Sequence, residues 1–210
     1  MDNKERLRKW LWLGLDETTA KKYQRKLSAE NVRIIRNESV IIAGIGALYT
    51  ICMLVLSHVY VKSLVCIIGA AWMFCIFLYT HSLLKKQDEI SKQETYASIG
   101  SFMICAYAVS IYVGTIGAGN ELAVTIVSLF VFLPTNFDLL PIYNLHITIV
   151  ALAMFFVSSY ITKTPDKFMY DVMDGILAAV IGNFAAFERA KIKWESVKIH
   201  EQLEEERDVD

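Results

Sequence analysis

Six apolar runs, each close to the length of a membrane crossing, constrain this chain more than any other feature. They fall at residues 40–60, 64–84, 96–116, 122–140, 142–161 and 172–189. A helix needs about 20 mostly apolar residues to cross a hydrocarbon core of about 30 Å. None of the runs shows the alternating pattern of a barrel strand. The fourth is the weakest, because Pro134, Asn136 and Asp138 lie in its second half. A stop near Phe132, followed by a re-entrant or interfacial turn up to Pro141, is the alternative to a full crossing there.

Hydrophobic residues make up 55% of the 210, and only 3 prolines and 10 glycines interrupt them. Most of the 21 basic and 22 acidic residues lie in the gaps, which excludes a disordered chain, a collagen-like fibre and an ordinary soluble α/β enzyme. The expected fold is all-α: a polytopic membrane protein of six transmembrane helices. An amphipathic helical region (1–38) should precede the membrane domain (39–190), and a signalling or coiled-coil helix (191–210) should follow it.

Lysine and arginine fix the orientation. Ten precede the first run, three lie between the second and third, and five follow the sixth; the alternate loops hold only Lys62, Lys163 and Lys167. Both termini are therefore expected in the cytoplasm of a cell bounded by this inner or plasma membrane. No cleavable signal peptide precedes the first run. Residues 6–13 (RLRKWLWL) mix cations with tryptophan and leucine, as an interfacial segment does. Asp16-Glu17-Thr18-Thr19 reads as a helix start, and the helix to Asn37 is either a transmitting element or an anchor held by anionic lipid.

Cys52, Cys66, Cys75 and Cys105 all sit inside apolar runs without ligand spacing, so they read as packing thiols rather than a zinc site or disulfide framework. No metal, cofactor or nucleic-acid signature is present, and no nucleophile–base pair, phosphate loop or HExxH motif, so no catalytic residue is assigned. Polar residues at membrane depth are costly and point to function or packing. Asn183 reads as an interhelical hydrogen bond, Asp171 and Asp174 as a cap on the sixth span, and His146 as a packed histidine. The abundant aromatics read as an interfacial belt and lipid-facing packing, with an apolar ligand cavity as the rarer use. A small-molecule or lipid pocket, if the chain has one, is expected in the outer half of the bundle, near Glu121, Tyr160, Asp171, Asp174 and Asn183.

The sixth run carries small residues at Gly175, Ala179, Gly182 and Ala186, a stripe that lets helices approach closely. Ala190, Trp194 and Val197 continue on nearly the same face in steps of 11 residues, while Ile199 and Leu203 lie off it. This predicts a homodimer paired through Gly182, Ala186, Ala190, Trp194 and Val197. Residues 200–210 read HEQLEEERDVD. This charged run resembles the signalling helix that leads into a GGDEF domain, with Asp210 in the place of the aspartate that opens the family's Asp-x-Leu-Thr-Gly-Leu-x-Asn-Arg start motif. The resemblance covers about a dozen residues and implies the sensor region of a membrane-bound diguanylate cyclase, cut before a catalytic domain that would make cyclic di-GMP from GTP. The family's GGDEF signature, metal-binding acids and GTP site are not in this sequence. The same layout could serve a histidine kinase or a class III nucleotide cyclase. A small transporter or channel is a different reading, which calls for internal repeats and broken helices; only the stretch from Pro134 to Pro141 looks broken.

Overall fold

The computed structural model describes residues 17–57, 60–85 and 90–209. The interfacial stretch 6–13, Asp16 and Asp210 lie outside the described residues, and so does the side chain of Val197. Among the described residues six α-helices follow one another: α1 (Glu17–Cys52, running on into a π-helical turn at Met53–Ser57), α2 (Tyr60–Leu84), α3 (Lys92–Gly114), α4 (Val124–Asn136), α5 (Pro141–Thr162) and α6 (Pro165–Val209). Among the described residues there is no strand.

Local chemistry sets several of the helix ends. Ser91 opens α3 with a capping box: its hydroxyl accepts from the Glu94 N–H at 3.2 Å, and its own N–H donates to the Glu94 carboxylate at 2.8 Å. Pro141 starts α5 at its first turn, where a missing N–H costs nothing. No break falls at residue 38 or at residue 190. α1 carries the region before the membrane into the first span as one 36-residue helix, and α6 is unbroken over 45 residues.

Among the described residues five helical segments are long and apolar enough to cross a membrane: Leu27–Val55, Tyr60–Leu84, Gln93–Gly114, Pro141–Thr162 and Pro165–Ser196. The fourth apolar run is not a sixth of this kind. α4 has 13 residues and rises only about 20 Å. Residues 137–140 complete that run as irregular, non-helical chain, and Phe137, Leu139 and Leu140 are all buried.

The core is aromatic. Phe130 of α4 lies between Tyr107 of α3 and Phe155 of α5, and Phe102 meets Phe137 edge-on. Phe102, Phe130 and Phe155 are fully buried. The outer surface is as apolar as the core, with Leu48, Ile104, Val150, Val180 and Phe184 each about three-fifths exposed. In water such a surface would drive aggregation; against lipid it costs nothing. Successive helices alternate in direction. One end of the bundle, here the basic end, gathers Leu27, Glu30, Asp138, Leu140, Arg189, Lys193 and Trp194. The other, distal end gathers Thr115, Asn120, Ala123, Ser158, Lys163 and Asp171.

The small residues of α6 face inward, onto the same chain. A Cβ on Gly182 would collide with the Phe130 carbonyl oxygen, and one on Gly175 would lie 3.1 Å from the Phe155 ring. Ala178, Ala179, Ala186 and Ala190 are buried as well. Gly182, Ala186 and Ala190, expected from sequence to line a seam between two copies, are thus buried within the single chain, with α4 lying directly on Gly182.

Candidate functional site: two polar anchors of the last helix

α6 is fixed to the bundle at two levels, Asp171 and Arg189, which its rise separates by about 27 Å. That is close to the thickness of a hydrocarbon core.

At the distal level Asp171 is 1% exposed. Lys163 Nζ and Ser159 Oγ each donate to its Oδ2 at 2.6 Å, and the Ala123 N–H donates to its Oδ1 at 3.2 Å. The Lys163–Asp171 pair has side-chain exposures of only 0% and 2%. One carboxylate thus holds the start of α4, the end of α5 and the first turns of α6. Asn120 reinforces it, its Oδ1 accepting at 3.0 Å from both the N–H and the hydroxyl of Thr164, next to the start of α6. Three donors converge on Asp171, so both of its carboxylate oxygens are served.

The basic level is built around the broken end of α4. Beyond Asn136 the helical N–H groups are diverted. The Asp138 N–H donates to Asn31 Oδ1 at 3.0 Å, and the Leu139 N–H turns back to the Phe137 carbonyl at 2.9 Å. The carbonyls of Pro134 and Thr135, which those donors would have served in a continued helix, take side chains instead. Asn144 Nδ2 of α5 donates to Pro134 O at 3.2 Å, and Arg189 Nη1 of α6 donates to Thr135 O. This capping lets irregular backbone exist at the edge of the apolar layer. Asn31 also donates to the Asp138 carbonyl at 3.3 Å, so α1 grips this residue from both sides.

The Asp138 side chain is fully buried, and neither carboxylate oxygen has a hydrogen-bond partner. Arg189 Nε stands 3.4 Å from Oδ1 and Lys193 Nζ stands 4.0 Å from Oδ2, in ion-pair rather than hydrogen-bond geometry. Both cations have closer partners: Arg189 the Thr135 carbonyl, and Lys193 the Glu30 carboxylate at 2.5 Å. Burial pushes the Asp138 carboxyl above the ordinary carboxylate range; Arg189 and Lys193 pull it back, and Glu30 raises it again. Nearby, Asn136 Nδ2 donates to Glu38 Oε2 at 3.2 Å.

Between the two levels runs a short polar ladder. Asn183 Nδ2 donates to Thr148 Oγ1 at 3.2 Å and to the Ala179 carbonyl at 2.9 Å, and the Thr148 hydroxyl donates to the Asn144 carbonyl at 2.8 Å. Asn183 thus makes the interhelical hydrogen bond its position predicts.

The five residues read from sequence as lining a pocket differ in depth and surroundings. Asp171 is buried and paired; Asn183 is half-buried and lies about 18 Å along α6 from it. Glu121 and Asp174 are exposed, and Tyr160 is 71% exposed with its ring edge-on to Phe168. His146 is exposed and spends Nδ1 on the Ile142 carbonyl of its own helix. Trp194 is half-buried beside the Leu27–Leu140 contact. Sequence reading missed Asp138 as a charge centre and counted Arg189, Lys193 and Lys163 only for orientation. The spacing of Arg189 and Lys193, four apart on one helix, is the signal that places both on one face.

The four cysteines are free thiols, Cys66 and Cys105 buried. Among the described residues no cluster of three or more His, Cys, Asp or Glu is placed to hold a metal ion. An apolar cavity of about 580 Å³ opens between α1, α2, α3 and α4, lined by Gly46, Cys66, Met73, Cys105, Ser110 and Leu129. Its walls are aliphatic and small, not the aromatics considered from sequence. Five apolar crossing-length helices around an aromatic core define a multi-pass helical membrane protein. No protein-family model, curated protein or solved structure matches the chain.

Proposed function

We propose that the chain is a transmembrane sensory module whose last helix carries a change in the bundle to an output on the cytoplasmic side. The observation that carries this reading is α6 itself: one helix of 45 residues, about 68 Å long, anchored at Asp171 and at Arg189 and continuing past the bundle. A rotation or shift of such a rod at one level is delivered at the other. The basic asymmetry of the loops supports an orientation with both termini in the cytoplasm. In this reading α4 counts as the fourth of six traversals, and residues 137–140 lie beyond it at the basic edge of the apolar layer. The resemblance of residues 200–210 to a GGDEF-leading helix supports a diguanylate cyclase output. Such outputs work as pairs, and with Gly182, Ala186 and Ala190 occupied, pairing falls to the part of α6 beyond them, where Ile192 and Ile199 are 65% and 57% exposed.

The test is a fusion of the full chain, in frame after Asp210, to a GGDEF catalytic domain, with one, two, three or four alanines inserted after Ser196. A helix that transmits orientation gives cyclic di-GMP output that rises and falls with the helical repeat of about 3.6 residues. Output independent of insert length would refute transmission through α6.

A transporter is the second reading, favoured by one observation: α4 is short, contains Pro134 and ends in irregular, non-helical chain at the edge of the apolar layer. Among the described residues no second helix has this form.

A further inference from the structure

Asp138 is the least satisfied charge among the described residues. Its carboxylate is buried among α1, α4 and α6, its oxygens accept no hydrogen bond, and the two cations beside it are each held more closely by something else. Asp171 is the opposite case, equally buried but with three donors on its two oxygens. One anchor of α6 is therefore fixed and the other is conditional on charge.

From this contrast we infer that Asp138 is a proton-gated latch: ionised, it draws Arg189 and Lys193 of α6 against α1 and the end of α4, and protonated, it lets that part of α6 move while Asp171 keeps the other end in place. The inference deepens the sensory reading, on which it rests for its purpose, by naming the proton as a stimulus. The charged groups facing Asp138 are Glu30 from α1 and Arg189 and Lys193 from α6, with Glu38 of α1 also facing Arg189. From α4 the polar neighbour is Asn136, and α5 supplies Asn144 and Tyr143, neither of them charged. With Asp138 ionised, three carboxylates meet two cations; with it protonated the numbers balance, and no buried anion remains to hold the cations inward. What then holds α6 is the Lys193–Glu30 pair and the Arg189–Thr135 bond. The Lys193, Glu30 and Arg189 side chains are 34%, 42% and 46% exposed, so water and salt weaken both contacts. Burial raises the Asp138 carboxyl and so favours its protonated form.

The test uses the full chain in lipid nanodiscs. Spin labels replace the exposed residues Asn37 and Glu195 across the latch, and Tyr60 and Tyr170 at the distal end, in a background lacking the four cysteines. Between about pH 8 and about pH 5 the 37–195 distance should shift by about 2 Å or more, the scale of helix displacements in switching proteins. The 60–170 distance should stay constant. In Asp138→Asn the 37–195 distance should stay at its acid value throughout. On cysteine-intact protein, infrared difference spectra should show a protonated carboxyl band that the Asn variant lacks, with the same midpoint as the distance change. A constant 37–195 distance, an equal shift in the Asn variant, or a carboxyl midpoint that does not match the movement overturns the latch. If Asp138→Asn fails to assemble, the match of the two midpoints in protein with Asp138 intact decides alone. The two ideas fail separately. A GGDEF fusion that responds to alanine phase but not to pH removes the latch and keeps the sensory helix; a pH-driven movement with output insensitive to phase does the reverse.

Discussion

Gly182 of α6 packs directly on the Phe130 carbonyl of α4, with no room between them for a Cβ. A methyl group there has to displace backbone, not the tip of a flexible side chain. Gly182→Val should therefore lower stability by about 3 kcal/mol or more, at the upper end of overpacking costs. Gly44→Val, at a site with nothing within 4 Å, should change little. Thermal unfolding of both variants in detergent micelles checks the contrast, and equal effects would mean that α4 does not sit on α6 as described.

The Lys163–Asp171 pair is dry, so losing either partner leaves a buried charge. Asp171→Asn or Lys163→Met alone should destabilise by about 3–5 kcal/mol, the range for breaking a buried ion pair. The double variant should cost less than the sum of the two. A double-mutant cycle measured by unfolding gives the coupling, and additive costs would show that the pair is solvated.

The raised Asp138 carboxyl has a definite sign in stability. The folded state holds this proton more tightly than the unfolded state, so its contribution is fully present below the ordinary aspartate value of about 3.9 and is lost as pH rises through the raised value. Asp138→Asn, which stays neutral, should be at least as stable as the unaltered protein at neutral pH, with the difference closing on acidification. Melting temperatures of the two proteins across pH provide the measurement, and a variant less stable at neutral pH would mean that Arg189 and Lys193 outweigh burial.

Orientation can be read with impermeant thiol reagents. In intact cells a cysteine at the exposed position Asp166 should label and one at the exposed position Glu195 should not. The reverse pattern would invert the topology assigned from the basic residues.

The capping box at Ser91 should be local in its effect. Ser91→Ala removes a hydroxyl that serves the Glu94 N–H and should cost about 1 kcal/mol. Hydrogen exchange should quicken in the first turn of α3 and not in its buried half around Phe102.

The long apolar helices and their order were legible in the sequence because they rest on one-dimensional quantities, the length and composition of each run. Five helices of crossing length follow the apolar runs, and Asn183 takes the interhelical role its depth implies. The close-approach stripe on α6 was equally legible, since small residues four and three apart share a face whatever lies opposite. Which helix fills that face is a question of tertiary structure. Phe130 and Phe155 of the same chain reach Gly182 and Gly175, and only the folded topology brings α4 and α5 there. The conditional anchor was not legible, because Glu30, Asp138 and the Arg189/Lys193 pair are distant in sequence and each looks like an ordinary boundary charge. Folding puts Asp138 out of reach of water with its oxygens unserved, and desolvation, which no linear pattern records, makes it the charge that can change state.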